Sequence, residues 1–325
     1  MPDRPLLFDI YRLNIVDEGL LPFMGAAIQA DSEILRVLSA STDNRFDLVV
    51  DSARATYKWS LREFTTYDTT EGGEPTDIVG VTLARSLITQ SGQTVTDHSI
   101  EEARSELSPP SADTIHLFFY MARHLVIVEY NSMVMSSEQW RSSLHAILDK
   151  GARSLEFQSV IRLEPVPKEA AILSAFRSFQ TLTRLRVRLR IPNPELDRRT
   201  ERLRKELVSG GIREYTQDMR NPRGLSQSEE SLPFATAAMA QAGYKDGDVV
   251  MSGYRNGKRT SLRTGKRAAR GRIEGLKDFV RGMATNAKSK EARTAIASIL
   301  EEVDRIVETP ELPQGERWRE GQDTH

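Results

Sequence analysis

Residues 183–191 read Thr-Arg-Leu-Arg-Val-Arg-Leu-Arg-Ile, a strict alternation of arginine and apolar side chains. A period of two is typical of a β-strand, because successive side chains of a strand point to opposite faces of its sheet. The apolar side chains therefore face a core, and the four arginines stand in a row, about 7 Å apart, on the other face. These guanidinium groups repel one another, so they face carboxylates, phosphates or open water. A salt-bridged or solvated strand and a polyanion-binding sheet face both fit the pattern.

Charge is distributed unevenly along the chain. The 325 residues have a net charge of −1, but residues 1–150 hold 12 basic and 22 acidic side chains, a net of −10. Residues 151–325 hold 33 basic and 24 acidic side chains, a net of +9, and residues 255–293 alone hold 13 basic and 3 acidic ones. A basic segment of this density indicates either a polyanionic partner or an exposed, partly disordered stretch.

Composition excludes several classes of site. The chain has no cysteine, which excludes disulfides, thiolate metal sites and a cysteine nucleophile and is compatible with a reducing cytosol. No stretch approaches 18 apolar residues, and the opening Met-Pro-Asp-Arg-Pro lacks the basic-then-apolar order of a signal peptide. We therefore expect a cytoplasmic protein that does not insert directly into a membrane.

The first half of the chain predicts an antiparallel sheet with helices. Helical spacing of apolar residues occurs at 25–38, and Ser136 can cap a second helix that reaches about residue 149. We expect residues 1–150 to form an acidic antiparallel sheet domain with these two flanking helices. Its strands are predicted at 6–16, 46–51, 55–67, 78–88 and 94–98, the last two turning at 91–93, and at 114–121 and 125–130, which form a tight hairpin.

The second half alternates strands and helices. This order predicts an α+β sandwich, and we place a basic α+β nucleic-acid-binding domain at residues 151–310 and a disordered tail at 311–325. The predicted fold class of the whole chain is therefore α+β, an antiparallel sheet domain with flanking helices followed by an α+β sandwich domain and C-terminal helices. The predicted strands are 155–163, 182–191, 212–219 and 248–254, and the predicted helices are 168–176, 194–209 and 234–242.

The C-terminal helices begin near residue 273 and divide at 289–291. The second of them has an apolar stripe broader than a lone surface helix needs. We expect that stripe to be buried either in a homodimer or against the other domain of the same chain. Its members are Ile296, Ile299, Leu300, Val303, Ile306 and Val307.

Motifs for catalysis and metal binding are weak. Residues 255–260 contain Gly-Lys-Arg-Thr but lack the spaced first glycine of a phosphate-binding loop. The five histidines contain no His-x-x-x-His pair, and Asp51 and Lys58 have the wrong spacing for a nuclease of the Asp…Asp/Glu-x-Lys kind. We predict no catalytic residue, no metal and no cofactor, and keep a metal-dependent nuclease or other effector enzyme as the alternative.

The strongest functional pattern is a basic hairpin, turned at Asn256-Gly257, with the basic stretch that follows it. Cations there can contact phosphates, and Gly253, Gly257, Gly265 and Gly271 would let the backbone approach a groove. Two other interpretations fit the same residues. One is a solvated basic loop without a partner, and the other is a loop that contacts the acidic half of a neighbouring copy. The predicted contact residues are Arg255, Lys258, Arg259, Arg263, Lys266, Arg267, Arg270 and Arg272, with a smaller contribution from Arg186 and Arg188.

The layout of the chain resembles the RexA family, the DNA-binding sensors of the RexA/RexB phage-exclusion pair. The likeness rests on the opening Leu-Leu-Phe-Asp-Ile-Tyr-Arg at 6–12, on Arg-Leu-Glu-Pro at 162–165, on the strand and helix over 183–207, and on the basic hairpin after residue 248. The resemblance implies a two-domain homodimer that binds DNA with little sequence preference and signals to a membrane-protein partner during phage infection. The contact residues of the family map approximately to Arg255, Lys258 and Arg259.

Overall fold

The computed structural model describes residues 4–17, 28, 30–67, 78–131, 135–168, 171–190, 203, 206–207, 209–210, 212 and 214–307. The strands are β1 (Leu6–Asp17), β2 (Leu48–Asp51), β3 (Ala55–Tyr67), β4 (Ile78–Val95), β5 (Ile100–Glu106), β6 (Ala112–Tyr120), β7 (Leu125–Glu129), β8 (Ser159–Pro165), β9 (Thr181–Arg190), β10 (Glu214–Arg220), β11 (Val249–Arg255), β12 (Lys258–Thr264) and β13 (Arg270–Ile273). The helices are α1 (Asp31–Ala40), α2 (Ser137–Ser154), α3 (Ala171–Arg177), α4 (Leu232–Gln241), α5 (Lys277–Val280) and α6 (Lys290–Ile306).

Nine of the described strands form one antiparallel sheet, here called the large sheet. Its order is β13-β1-β7-β6-β4-β3-β2, with β5 paired to β4 and β8 paired to β1. The strand β1 uses both of its edges. Residues 8–12 pair with β7 on one edge, while on the other edge residues 6–9 pair with β13 and residues 11–17 pair with β8.

Both faces of the large sheet are covered by helices. Leu13, Leu83 and Leu117 pack on one face with the buried stripe of α2, which includes Leu144. On the other face, Phe8, Phe118 and Ile127 pack with Ile296, Ile299 and Val303 of α6. The apolar stripe of the C-terminal helix therefore packs within the chain, which is the second of the two predicted alternatives, although Leu300, Ile306 and Val307 are only partly buried.

The remaining four strands form a separate antiparallel sheet in the order β10-β9-β11-β12. Together with α3 and α4 they make up residues 171–264, here called the small module. The helices cover one face of this sheet, where the rings of Phe176 and Phe234 meet edge to face with centroids 6.2 Å apart. Leu203 and Leu207 are buried in the same core, but the predicted helix over 194–209 otherwise lies largely outside the described residues.

The small module is inserted between β8 and β13 of the large sheet. Pro167 and Ala268 are bridge partners where the chain leaves and returns, and the Ala269 N–H donates to the Val166 carbonyl at 2.7 Å. Arg12 of β1 is buried at this junction. Its Nε donates to the Ala242 carbonyl at 3.0 Å and its guanidinium lies 4.7 Å from the centre of the Tyr244 ring.

The predicted α+β fold class is confirmed, but the strand pairing crosses the boundary predicted at residue 150. Strands β8 and β13 and helix α6 complete the large sheet, so the second unit with its own sheet, among the residues that the structure describes, lies within 171–264. The physical reason is that a long strand such as β1 must satisfy its backbone groups along both edges, and a shift in charge does not record that pairing. The predicted tail at 311–325 lies outside the described residues.

Two local predictions differ from the structure. The strand β4 does not turn at 91–93, because Gly92 pairs with Ala103 and the chain turns at 96–99. The first of the two C-terminal helices is reduced to the single turn of α5 and a 3-10 turn, Met283–Asn286.

Candidate nucleic-acid interface

The arginine strand is β9, and its two faces have the predicted environments. Leu185, Val187 and Leu189 are each at most 1% exposed in the core of the small module. The alternate arginines lie on the face that is not covered by α3 and α4. This face, with the corresponding side chains of β10, β11 and β12, is here called the open face.

Most of the arginines on β9 are paired with carboxylates on β10 and in the connection that precedes β11. Arg184 binds both carboxylate oxygens of Asp218 on β10, at 2.8 and 2.7 Å. Arg188 and Arg190 share Asp246, at 2.9 and 3.2 Å. The structure therefore shows a salt-bridged outer face for Arg184, Arg188 and Arg190, one of the alternatives that the sequence leaves open.

Arg186 is the exception in this row. Directly opposite it in register stand Asp218 on β10 and Val250 on β11, and Val250 in turn faces Arg263 on β12. Asp218 is already bound by Arg184 and by Arg220, whose Nη2 lies 2.7 Å from it. Neither Arg186 nor Arg263 has an ion-pair partner among the residues that the structure describes.

The ionisation of these groups is fixed by their pairing. Hydrogen bonds from Arg184 and then Arg220 hold the pKa of Asp218 far below its usual range. The same carboxylate raises the pKa of both arginines. The cluster of two guanidinium groups and one carboxylate thus has a surplus of one positive charge at neutral pH.

The basic hairpin is formed by β11 and β12, as predicted. Asn256 and Gly257 both have positive φ, 51° and 72°, which is the backbone of a two-residue hairpin turn. The Gly257 N–H donates to the Gln180 side-chain oxygen at 3.0 Å, so the tip is attached to the body of the small module. Arg255, Lys258 and Arg259 are exposed at this tip and have no ion-pair partner within the described ranges.

The stretch after the hairpin is not the glycine-punctuated loop that the sequence predicts. Arg270–Ile273 forms strand β13 and pairs with β1. Arg270 binds Asp9 at 2.7 Å, and its guanidinium lies 3.3 Å from the centre of the Tyr130 ring. Arg272 pairs with Glu274 at 2.7 Å. Arg270 and Arg272 therefore already have protein partners, unlike the cations of the hairpin tip.

The ten predicted contact residues lie in three places. Arg186 and Arg188 lie on the open face, and Arg255, Lys258 and Arg259 lie at the hairpin tip. The other five line a cleft of about 1520 Å³ between the small module and the large sheet. They are Arg263, at the edge of the open face, and Lys266, Arg267, Arg270 and Arg272. The predicted set is therefore not one continuous surface.

Sequence reasoning missed three cations near these sites. Arg220 joins the open face because it stands opposite Arg184 across the β9–β10 pair. Lys168 and Arg305 line the cleft from elements that precede and follow the small module. Only strand register could have revealed Arg220, and no local pattern marks the other two.

The structure offers little for metal chemistry or membrane insertion in the part of the chain that it describes. No group of three or more His, Asp or Glu side chains in that part could hold a metal ion. None of the helices described there combines the length and apolar character needed to cross a membrane.

The fold and this surface define an antiparallel α+β protein that carries an inserted module with a basic face. A family model described as a domain of unknown function, DUF4747, matches residues 53–278. The match covers more than half of the chain, so the protein belongs to this family. The matched range contains the whole small module and the large-sheet strands from β3 through β8 and β13. A search of curated proteins finds no match.

Proposed function

We propose that the protein is a non-enzymatic DNA-binding protein that holds duplex DNA on the hairpin tip and open face of the small module. The observation that carries the proposal is a set of exposed cations without ion-pair partners in the described part of the chain. They are Arg186, Arg255, Lys258, Arg259 and Arg263. Unpaired cations repel one another, and a polyanion that neutralises them releases its own counterions on binding.

The contrast within the small module supports this assignment. The carboxylates of the open face, such as Asp218 and Asp246, are already bound by Arg184, Arg188 and Arg190. The hairpin cations remain free although acidic residues are plentiful in the chain. A surface that only needed solubility would have no reason to concentrate one sign of charge at a rigidly attached tip.

The shape of the surface supports contact with phosphates rather than with bases. The cations stand on strands and on a two-residue turn, and Arg259 and Arg263 lie on one face of β12, about 13 Å apart. Such contacts fix position on a duplex without reading its sequence. We therefore propose binding with little sequence preference.

The resemblance to the RexA family supports a wider proposal. On that basis we propose a cytoplasmic homodimer that acts as the sensor of an antiphage, abortive-infection type of defence and signals to a membrane-protein partner. The absence of cysteine is compatible with that compartment. The buried stripe of α6 is already used within the chain, so the dimer interface is formed by another surface.

Binding to labelled duplex DNA, single-stranded DNA and RNA, measured by gel shift over a series of salt concentrations, tests the proposal. We expect duplex DNA of unrelated sequences to bind with similar affinity and with a steep dependence of log K on log salt. The same samples incubated with Mg²⁺ or Mn²⁺ should stay intact. Failure to bind at low salt would refute the proposal, and cleavage of the duplex would favour the alternative, a metal-dependent nuclease. A change of oligomer size with salt in the absence of DNA would favour a third interpretation, in which the basic surface of one copy binds the acidic half of another.

A further inference from the structure

The cleft between the small module and the large sheet is a second basic site, distinct from the hairpin tip. It is bounded by the ends of β1 and β7, by the beginning of α2 and by residues 263–272. Its volume of about 1520 Å³ exceeds the roughly 300–1,000 Å³ of ordinary small-molecule pockets. It therefore has room for a ligand larger than an inorganic anion.

The charge of the cleft favours a ligand with anionic groups. Seven cationic and three anionic side chains line it, and two of the cations, Arg272 and Arg305, pair with glutamates just outside it, which leaves a surplus of two positive charges. Lys168, Arg263 and Arg267 have no ion-pair partner among the described residues, and Lys266 lies 3.6 Å from Asp248 with its side chain 81% exposed. Phosphate groups could bind these side chains without disturbing the pair formed by Asp9 and Arg270.

The beginning of α2 adds to this positive end. Ser136 and Ser137 line the cleft, and they begin a helix of 18 residues. The Ser136 hydroxyl accepts the Gln139 N–H at 3.3 Å, which caps one of the free backbone donors of the first turn. The positive end of the helix dipole and the remaining donors favour an anion at this place.

The inner part of the cleft has a different character. Tyr11 and Trp140 line it with their rings edge to face, 5.1 Å apart, beside the apolar Val128 and Met135. Glu129 also lines it and is 4% exposed. One oxygen of Glu129, Oε2, accepts the His116 N–H at 3.3 Å, while Oε1 has no hydrogen-bond partner in the described part of the chain.

A buried carboxylate oxygen without a donor is costly. Oε1 of Glu129 is itself covered, so a ligand N–H or O–H satisfies it once the side chain turns toward the cleft that it lines. Inorganic phosphate at physiological pH has O–H donors, but they lie on the charged group itself, which Glu129 and Asp9 would repel. A ligand that carries phosphate at one end and neutral donors on an apolar, aromatic body at the other fits both parts of the cleft. A nucleotide has this construction, because its sugar hydroxyls and base amino groups are neutral donors.

We propose that this cleft binds a nucleoside phosphate, either as a free nucleotide or as the terminal nucleotide of a nucleic-acid strand. Lys168 and Arg267 contact the phosphate, and Glu129 accepts a hydrogen bond from the sugar or base. This site shares Arg263 with the duplex-binding surface proposed above, but its phosphate contacts, Lys168 and Arg267, lie outside that surface, so either proposal can hold without the other.

Calorimetric titration of the full chain with AMP, ADP, ATP, adenosine and inorganic phosphate tests the proposal. We expect the nucleotides to bind more tightly than either adenosine or phosphate alone. The double variant Lys168→Ala/Arg267→Ala should weaken nucleotide binding by about tenfold or more, since it removes two charge-assisted contacts. The matched control Arg255→Ala/Lys258→Ala makes the same change of charge outside the cleft and should leave nucleotide affinity within about twofold.

Two further arms identify the source of the ligand and the role of Glu129. The first arm measures displacement of a fluorescent nucleotide by a linear oligonucleotide with a 5′-phosphate and by a closed circle of the same sequence. Better displacement by the linear strand identifies a strand end as the ligand, whereas equal weak displacement identifies a free nucleotide. Glu129→Gln should weaken AMP more than inorganic phosphate, as loss of an acceptor predicts. No binding of any nucleotide at millimolar concentration, or equal loss in the cleft variant and its control, would overturn the proposal. Duplex binding measured on the same cleft variant reports separately on the DNA-binding surface.

Discussion

Gly271 lies against the ring of Phe8 with no room for a side chain. An ideal Cβ at residue 271 would stand 2.1 Å from Cζ of Phe8, and that ring is completely buried. We expect Gly271→Ala to destabilise the fold by about 1–3 kcal/mol, the usual cost of overpacking a core. Chemical denaturation of the variant measures this. The control Gly92→Ala, where an added Cβ meets nothing within 4 Å, should show a much smaller change; equal losses would contradict the explanation.

The same glycine shows what the sequence could and could not predict at the scale of a residue. The pattern of glycines among cations predicted that the backbone approaches a groove. The structure instead places the ring of Phe8 against Gly271 and the carbonyl of Thr181 against Gly253. A sequence shows that a side chain is missing, but the neighbour that requires its absence is more than 70 residues away in both cases, so no local pattern could identify it.

His145 gives the protein a titrating group whose effect on stability has a definite sign. The ring is partly buried between α2 and β8, and its Nε2 accepts the Leu163 N–H at 2.9 Å. Burial, followed by the charge of Arg162, lowers the pKa of His145 to about 3. In the unfolded chain the histidine titrates near pH 6.5. Between these values the unfolded state binds more protons than the folded state. The contribution of His145 to stability is therefore complete above about pH 6.5 and is lost as the pH falls.

We expect His145→Gln to remove this dependence, because glutamine can accept a hydrogen bond but does not titrate. The free energy of unfolding of the unmodified protein should decline relative to the variant below about pH 6.5, with a slope of up to about 1.4 kcal/mol per pH unit. Urea denaturation at a series of pH values between 7 and 4 measures the difference. Parallel curves for the two proteins would show that folding does not lower the pKa of His145.

At the scale of the element, the alternation in residues 183–191 predicted β9 and its buried face, and left a salt-bridged outer face as one of several alternatives. The alternation is local, so it could be read directly. The partners of the arginines, Asp218 and Asp246, are 34 and 58 residues away from Arg184 and Arg188, and only the folded sheet brings them together. The sequence therefore could not show that Arg186 alone on this strand lacks a partner in the described part of the chain.

This difference between strand and hairpin predicts an order of effects on DNA binding. Replacing Arg255, Lys258 and Arg259 together with alanine should weaken binding to every duplex and lower the slope of log K against log salt by up to about 2.7, the contribution of three phosphates. Replacing Arg186 and Arg188 should lower that slope by only about 0.9, since Arg188 is already paired. The second variant should lose up to about 1 kcal/mol of stability with its ion pairs.

Fluorescence anisotropy at several salt concentrations measures these slopes. A triple alanine variant of Arg54, Arg153 and Lys288, exposed cations outside the small module, is the control for general charge and should bind almost as the unmodified protein. An unchanged slope in the hairpin variant, with its circular dichroism intact, would place the duplex elsewhere.

The burial of α6 changes what a substitution in its stripe should do. Ile299 and Val303 are 1% and 0% exposed against the large sheet. We expect Ile299→Glu/Val303→Glu to unfold the protein rather than release a folded monomer, because each change costs at least the roughly 2–5 kcal/mol of truncating a core side chain and also buries a charge. Thermal unfolding and sedimentation together measure this. The control Ala297→Glu, on the exposed side of the same helix, should remain folded; a folded monomer in the double variant would restore the helix as a dimer interface.

At the scale of the whole molecule, the sequence predicted the α+β class and an acidic and a basic part, but not the way they are connected. The basic module is inserted into the acidic sheet, so the chain crosses between them twice. The two crossings lie side by side on β1, where Val166 and Ala269 hydrogen-bond to each other and to Ile10. Strands separated by about a hundred residues leave no local signal of such pairing, so the sequence predicts a boundary near residue 150, where the predicted helix ends and the charge changes sign.

Because the two crossings lie side by side, we expect the large sheet to fold without the small module. Because Pro167 and Ala268 are bridge partners, replacing residues 168–267 with a short Gly-Asn-Gly connection should preserve β8, β13 and the register of β1. The junction groups that lose their cover, such as Arg12 and Glu164, are charged and can be hydrated. We expect the shortened protein to unfold in a single cooperative transition at a lower temperature and to lose binding to duplex DNA.

The strand content by circular dichroism, the denaturation curve and the gel shift measure these three outcomes. A folded deletion variant that still binds duplex DNA would assign the contact to the large sheet, and a variant that fails to fold would show that the large sheet depends on the module inserted into it.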